Sequence, residues 1–177
     1  HLINKYRSQY PDCIGTLFSN DLPNLLQFDI KNPNIKPLNL EQTKHKAVII
    51  ASYKSKISYC ENEPLKASQV NVNGVLQLIK NLSKTSLKII FLSSDYVFDG
   101  LKGSYDENDM THPVNYYGKS KLESENILIG SNREYIIFRT SMLFDNNNNN
   151  FFTWILRNLK KNKKIKVATD IFSNPTW

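Results

Sequence analysis

Short apolar runs alternate along this chain with segments of helical periodicity, and this alternation limits the fold more than any other feature of the sequence. Residues 46–51 are almost continuously apolar, which is typical of a strand buried on both faces of a sheet. Residues 64–84 keep the three-to-four spacing of an amphipathic helix, and Pro64 suits its first position. Strands that alternate with helices of this length predict an α/β fold, a Rossmann-like doubly wound parallel sheet with helices on both faces.

The same two patterns extend over the rest of the chain. Six apolar runs predict strands, and they cover residues 13–18, 25–30, 46–51, 87–92, 135–138 and 165–168. Helices are predicted over residues 2–9, 64–84, 115–129 and 151–159. Asn115 is a suitable N-cap for the third helix, and Gly130 is a suitable stop. With 177 residues and 40% hydrophobic content, the chain has the size and composition of one domain with a real core.

The glycine-rich turn of a dinucleotide-binding sheet is not found in this sequence. Such a sheet normally begins with a strand, a G-x-G-x-x-G turn and a helix. The six glycines do not form that motif, and the G-x-x-G of Gly100 and Gly103 indicates only a turn in a polar loop. The chain is therefore predicted to start inside the first helix of a Rossmann-type domain, without the first strand and the glycine-rich turn.

A hydroxyl, a phenol and an ammonium group follow one another in an order that suits proton transfer. Ser93 and Ser94 end an apolar strand, while Tyr117 and Lys121 lie four residues apart on the next predicted helix and so share a face. A nearby ammonium lowers the pKa of a tyrosine and makes the phenol a usable acid near neutral pH. Nine tyrosines and nineteen lysines give about one Tyr-x-x-x-Lys by chance, so the pair gains its weight from the strand end before it. If this proton goes to a carbonyl oxygen, the carbonyl carbon must receive a hydride. That hydride must come from a cofactor, because no side chain supplies one.

Other kinds of site find little support in the sequence. The three histidines and two cysteines, Cys13 and Cys60, lack metal-ligand spacing, which predicts no metal and two reduced thiols in the cytoplasm. No secretory signal is recognised, and no apolar run approaches the ~20 residues of a membrane span, so no membrane partner is predicted. The net charge of +7 is densest in the lysines of residues 160–166, interpreted as a solvated helix end. No nucleic-acid-binding module accompanies them, and no nucleic-acid partner is predicted.

Several motifs, in the same order along the chain, resemble one known family. They are CENEP at residues 60–64, VNVNG at 70–74, SSDYVFDG at 93–100, YGKSK at 117–121 and FRTS at 138–141. On these segments the chain resembles the extended short-chain dehydrogenases/reductases, and among them the dTDP-4-dehydrorhamnose reductase-like branch. The resemblance covers nearly the whole chain, and the SSDYVFDG and YGKSK segments are its most specific parts.

The resemblance implies an activity and a role for three residues. The reaction is the reduction of a nucleotide-linked 4-keto-6-deoxysugar by NADPH or NADH. Tyr117 is the implied proton donor, Lys121 lowers its pKa and holds the nicotinamide ribose, and Ser94 polarises the carbonyl. The cofactor stays open between NAD and NADP, because residues 18–21 offer neither an immediate acidic residue nor an arginine.

The resemblance also assigns binding residues. The implied cofactor contacts, besides Tyr117 and Lys121, are Asp29, Ala51, Ser52, Asn71 and Ser93. The implied substrate contacts are Tyr96, Phe98, Asn150 and Phe151. Two of the cofactor assignments have an alternative in the sequence: Asp29 equally suits a strand-end turn, and the glycine near Asn71, Gly74, suits close packing of a helix on the sheet.

The missing first strand has consequences for the fold and for binding. In the resembling fold this strand lies between the strands at residues 13–18 and 46–51, so its absence leaves unpaired edges there. Weak or no cofactor binding by these 177 residues is predicted, because the pyrophosphate cradle is missing. The expectation is a single NAD(P)-binding Rossmann-type domain over residues 1–177, truncated at the N-terminus and missing C-terminal substrate-binding segments. As such a fragment of a longer reductase it is expected to be inactive alone.

Two other functions stay open. One is a non-catalytic regulatory subunit, because the beta subunit of methionine adenosyltransferase resembles the same family and has a similar SSDYVFDG run. The other is a nucleotide-sugar epimerase or dehydratase, for which Asp95 would supply a carboxylate beside the serines. The implied partner is a nucleotide-sugar substrate, and a homodimer stays open.

Overall fold

The structure is a computed structural model that describes residues 2–18, 25–40, 44–143 and 150–166. The chain divides into two compact units, His1–Phe138 and Arg139–Trp177. The main elements of the first unit are α1 (Leu2–Gln9), β1 (Thr16–Leu17), β2 (Leu26–Gln27), β3 (Ala47–Ile50), α2 (Ile57–Asn62), α3 (Pro64–Ser68), α4 (Gly74–Asn81), β4 (Lys88–Ser94) and α5 (Tyr116–Ile129). β5 (Tyr135–Thr140) crosses into the second unit, which holds α6 (Phe151–Lys160).

The described strands form two sheets. β1 and β2 pair in parallel, with Thr16 opposite Leu26. β3 and β4 also pair in parallel, and β5 flanks the other side of β4. Parallel strands that alternate with helices confirm the predicted α/β fold of Rossmann-like character.

A cleft of about 1620 Å³ borders both sheets within the first unit. Its walls include Thr16 and Leu17 of β1 and Val48 and Ile49 of β3. Among the described strands, β1 pairs with β2 and β3 pairs with β4, so each has a second edge without a strand partner. The cleft lies beside the two strands between which the sequence predicts a missing strand, and that missing strand stays a prediction.

Two clusters of buried side chains hold α5 against the rest of the first unit. The main cluster joins β3, α4, β4 and α5 through Ile50, Ile79, Phe91 and Leu128. Burying side chains of this kind contributes about 1.5–3 kcal/mol each. A smaller cluster contains Tyr117, near the start of α5, together with Cys60 and Ala67. The helix is therefore fixed at both ends, and its tyrosine is part of the packing.

The long helix predicted over residues 64–84 is present but interrupted. Between α3 and α4, Gln69–Asn73 forms a π-helical turn that buries Asn71. Such turns occur often at functional sites. At the start of α4, a Cβ on Gly74 would stand 2.6 Å from the Ile30 carbonyl oxygen. Close packing against the segment after β2 therefore explains this glycine.

Other predicted elements differ from the structure at their boundaries. The first two predicted strands shrink to the two-residue β1 and β2, since each pairs along a single edge. The last one does not form at Ile165 and Lys166, and its other half lies outside the described residues. α2 was not predicted, because its N-cap Lys56 makes no side-chain capping bond. Among the helices of the described ranges, none has the length and apolar character needed to cross a membrane.

Candidate active site

The C-terminal end of β4 carries the hydroxyl group that the sequence singles out. Ser94 is buried and caps a short 3₁₀ turn, Asp95–Val97. Its Oγ accepts a hydrogen bond from the Tyr96 backbone N–H (3.3 Å) and donates one to Asp95 Oδ1 (3.1 Å). The cap turns the chain sharply away from the sheet and holds the serine hydroxyl at the strand end.

α5 supplies the phenol and the ammonium group. Asn115 caps the helix by accepting a hydrogen bond from the Gly118 N–H (2.8 Å), as predicted. Tyr117 and Lys121 both point into the protein and are 6% and 1% exposed. The Ser94 hydroxyl lies close enough to the Tyr117 phenol to lower its pKa, so the structure brings these two predicted groups together.

Gly118 allows α5 to approach the turn that follows Ser94. A Cβ on this glycine would stand 2.0 Å from the Tyr96 carbonyl oxygen and 3.0 Å from the Pro113 side chain. Such a contact is far inside van der Waals distance, and its main partner is rigid backbone. Position 118 therefore has room only for the hydrogen atom of a glycine, and the placement of Tyr117 beside Ser94 depends on it.

Gly118→Ala is expected to lower the free energy of unfolding by about 1–3 kcal/mol, because α5 must move away from the turn. Urea denaturation followed by circular dichroism measures this loss. Gly130→Ala at the end of the same helix is the matched control. Its new Cβ would lie 3.4 Å from the nearest atom, and the free energy of unfolding should change by less than about 1 kcal/mol. Equal losses in the two variants would contradict the close approach.

The environment of Tyr117 keeps its phenol protonated. Burial raises the pKa of Tyr117 well above its ordinary value, and neighbouring Tyr53 adds to the increase. The neighbouring Ser94 hydroxyl lowers the pKa of Tyr117 and so opposes this increase. The Tyr96 ring contacts the Tyr117 ring edge-on, with centroids 5.9 Å apart. The expectation that the pKa of Tyr117 is lowered is therefore wrong for this ligand-free chain.

The position of Lys121 explains why it does not lower the pKa of Tyr117. Its ammonium donates a hydrogen bond to the Leu92 carbonyl oxygen (2.5 Å) and lies 4.0 Å and 4.3 Å from the ring centres of Phe91 and Tyr53. Burial lowers the pKa of Lys121 to about 7, although Glu125 one turn later opposes the shift. Lys121 therefore holds its proton less firmly near neutral pH than a lysine in water does, and its ammonium bonds to the sheet at Leu92.

Two residues assigned to cofactor binding are instead fully engaged inside the protein. Ser93 is buried, and its hydroxyl donates a short hydrogen bond to Glu125. The Asn71 side chain accepts from the Lys54 N–H (2.7 Å) and donates to the Lys54 carbonyl (3.1 Å) and to Ser120 Oγ (3.0 Å). Direct cofactor contact by either residue stays a prediction. Asn71 fastens the loop after β3 to α5.

The other cofactor assignments lie at the cleft. Ala51 and Ser52 follow β3 directly and are exposed in its wall. Asp29 lines the same cleft, but its carboxylate accepts the Lys31 N–H (2.9 Å) and faces the Lys31 ammonium at 3.8 Å. This is the turn arrangement that the sequence offers as the alternative explanation of Asp29.

The assigned substrate contacts are dispersed. Tyr96 is half-exposed beside Tyr117, where a ligand could touch it. Phe98 is buried and stacked on Tyr105 with ring centres 4.4 Å apart, and its role as a substrate contact stays a prediction. In the second unit, Asn150 caps α6 through a capping box, and the exposed Phe151 ring stacks on a neighbouring tryptophan. Their role as substrate contacts stays a prediction.

Sequence reasoning missed two residues that shape this site. Glu125 lies four residues after Lys121, a spacing that already placed it on the same helix face. Tyr53 sits in an irregular loop, and no periodicity in the sequence could place its ring over Lys121. In the part of the chain that the structure describes, no group of three His, Cys, Asp or Glu side chains could hold a metal ion.

The fit of a nicotinamide cofactor can be judged from these groups. Five lysines and two aspartates line the cleft: Lys31, Lys44, Lys46, Lys54, Lys66, Asp12 and Asp29. This excess of positive charge favours an anionic ligand. Ala51 and Ser52 fit a cofactor that passes the end of β3. Lys121 is buried against the Tyr53 ring and fits such a cofactor only if that ring moves.

Comparison with known proteins gives close agreement with the sequence resemblance. Residues 8–177 match the family described as RmlD substrate binding domain. The chain is 36% identical over 152 residues to the dTDP-4-dehydrorhamnose reductase of Aggregatibacter actinomycetemcomitans, which covers 85% of this chain and 52% of that protein. It is 30% identical over 131 residues to the methionine adenosyltransferase 2 subunit beta of Bos taurus, covering 74% of this chain and 39% of that protein.

Solved structures show the same likeness. A hypothetical dTDP-4-dehydrorhamnose reductase from Sulfolobus tokodaii has a TM-score of 0.80 and 28% identity, covering 92% of this chain and 58% of that one. A dTDP-4-dehydrorhamnose reductase from Bacillus anthracis in complex with NADP has a TM-score of 0.67 and 28% identity, covering 76% and 48%. The chain spans about half the length of the curated relatives that it matches. By its match from residue 8 to residue 177, the chain belongs to the RmlD substrate binding domain family.

Proposed function

We propose that this chain carries the proton-transfer groups of an NAD(P)H-dependent reductase acting on a nucleotide-linked 4-keto-6-deoxysugar. The observation that carries the proposal is the proximity of the Ser94 and Tyr117 hydroxyls at the end of β4, with Lys121 one helical turn after Tyr117. Similarity to dTDP-4-dehydrorhamnose reductases, one of them in complex with NADP, supports the substrate class and the cofactor.

The two hydroxyls have complementary tasks at a substrate carbonyl. Tyr117 donates its proton to the carbonyl oxygen as negative charge develops there, and the raised pKa keeps that proton in place at neutral pH. Ser94 donates a hydrogen bond to the same oxygen from a cap that fixes its direction. A bound nicotinamide would supply the hydride. Ala51, Ser52 and Lys121 are the residues proposed to hold it.

The proposal is tested with the protein that carries this chain, NADPH and a dTDP-4-keto-6-deoxysugar. We expect the absorbance of reduced nicotinamide to fall only when the sugar is present. Omission of the sugar and replacement of it by the corresponding reduced nucleotide sugar are the controls. No sugar-dependent oxidation with either NADPH or NADH would remove the reductase assignment.

A regulatory subunit is the second candidate function. It is favoured by the similarity to methionine adenosyltransferase 2 subunit beta and by the buried position of Lys121, whose ammonium is bonded to the Leu92 carbonyl oxygen. A regulator of this kind would bind another protein and would not consume NADPH. The absorbance experiment therefore separates the two candidates.

The cleft beside β1 and β3 supports the domain prediction. We propose that the complete Rossmann-type domain places a further parallel strand there, because two unpaired strand edges and apolar side chains such as Leu17 and Val48 face this space. The cytoplasmic location, the homodimer and the absence of a nucleic-acid partner stay predictions of the sequence.

A further inference from the structure

Lys121 is almost completely buried, although its proposed task is to touch a ligand. The exposed fraction of its side chain is 1%, so no outside group can reach the ammonium in this conformation. Its neighbours include the Leu92 carbonyl oxygen, the rings of Phe91 and Tyr53, and Glu125, which is itself fully buried and bonded to Ser93. A ligand can reach the ammonium only if one of these neighbours moves.

Phe91 and Leu92 are not free to move. Both belong to β4, which pairs with strands on its two sides. The Phe91 ring is fully buried in the main hydrophobic cluster. Moving either group would open the core, whereas rotation of a half-buried side chain in a loop costs little and occurs on short timescales.

Tyr53 has the opposite properties. It is half-buried and lies in the loop between β3 and α2, where its ring faces both Tyr117 (centroids 6.1 Å apart) and Lys121. The next residue, Lys54, is held by both backbone hydrogen bonds to Asn71. The loop backbone therefore has an anchor directly beside the tyrosine, and Tyr53 itself lines the cleft, which offers space for its ring.

We propose that Tyr53 is a gating residue that covers Lys121 and must swing into the cleft before a ligand hydroxyl can bind the ammonium. The ring holds the cation in place of that ligand, since an aromatic face attracts an ammonium at this distance. The proposal rests on the proposed function for the identity of the ligand, a ribose hydroxyl of the cofactor. The cover itself is a property of the chain and is tested without cofactor or substrate.

The test measures how fast an amine-reactive ester modifies Lys121 in the 177-residue chain, by peptide mapping and mass spectrometry. Lys119, exposed on the same helix, is the internal reference. Wild type and Tyr53→Phe should modify Lys121 at least tenfold more slowly than Lys119, because both keep the ring. Tyr53→Ala should accelerate modification of Lys121 at least tenfold. Tyr59→Ala, which removes a neighbouring ring that contacts Lys54 instead, should leave the rate within twofold of wild type.

A second measurement uses wild type alone and so does not depend on how the variants fold. The ε-methylene protons of Lys121 lie between two rings and should resonate well upfield of those of Lys119. Lys121 reacting as fast as Lys119 in wild type, an unshifted ε-methylene signal, or an unchanged rate in folded Tyr53→Ala would each overturn the gate. If the gate is confirmed but the Tyr117→Phe enzyme remains active, the proposed function is wrong. Tyr53 would still be the residue that covers Lys121.

Discussion

Tyr117→Phe is expected to lower kcat for sugar-dependent NADPH oxidation by about 10²–10⁴-fold, because phenylalanine keeps the ring but has no proton to donate. KM for the sugar should change little, since the ring contacts with Tyr53 and Tyr96 are retained. Steady-state kinetics on the protein that carries this chain give both numbers. Loss of a buried hydroxyl beside Ser94 should cost only about 1 kcal/mol of stability.

Tyr116→Phe is the matched control for this variant. It removes a hydroxyl from the adjacent residue of α5, which packs in the smaller cluster but is not bonded to Ser94. Its kcat should stay within about threefold of wild type. If Tyr117→Phe were as active as Tyr116→Phe, the phenol would not be the proton donor.

The second large effect concerns the pH dependence of stability. Unfolding exposes Lys121 to water, where its pKa returns to about 10.5, whereas the folded chain releases the proton near pH 7. Between these pH values the unfolded state binds more protons, so the free energy of unfolding rises with pH. Lys121 alone should contribute a rise of roughly 2 kcal/mol between pH 7 and pH 9, and no change well below pH 7.

Lys121→Met is expected to lose this contribution, because methionine fills a similar volume without a titrating group. Urea denaturation at pH 6, 7, 8 and 9 gives the comparison. Lys119→Met, on the exposed side of α5, should retain the pH dependence of wild type. A Lys121→Met chain with the same pH profile as Lys119→Met would show that Lys121 is charged in the folded state throughout this range.

The sequence predicts those site residues whose positions depend on the start or end of one helix or strand. Ser94 follows an apolar run and Tyr117 follows a helix cap at Asn115, so strand end and helix start are both visible in the pattern. Gly118, inside the same motif, explains how closely the two elements meet. The Ser94–Tyr117 contact is therefore the part of the site that sequence reasoning could predict.

The remainder of the site depends on contacts between distant segments. Lys121 lies between Phe91 and Tyr53, which are 30 and 68 residues away in sequence, and its pKa follows from that burial. Asn71 reaches both the loop at Lys54 and α5 because the π-helical turn rotates it inward. Neither periodicity nor residue spacing contains this information.

The fold shows the same division between local and long-range causes. β3 and β4 pair with each other along continuous apolar runs, and these runs predict both strands to within two residues. β1 and β2 pair along one edge each, and their length is set by the available partner rather than by their own composition. The cleft between β1 and β3 is where the sequence predicts that a strand is missing.

Transfer of deuterium from the cofactor to the sugar is the most direct evidence for the proposed reductase function. The protein that carries this chain is incubated with a dTDP-4-keto-6-deoxysugar and NADPH deuterated at the transferable position, and the sugar product is analysed by mass spectrometry and NMR. We predict one deuterium on the former carbonyl carbon with wild type and Tyr116→Phe, and at least a hundredfold slower incorporation with Tyr117→Phe. A sugar that remains unlabelled with wild type would contradict the reductase function, and equal labelling by Tyr117→Phe would contradict the role of its phenol.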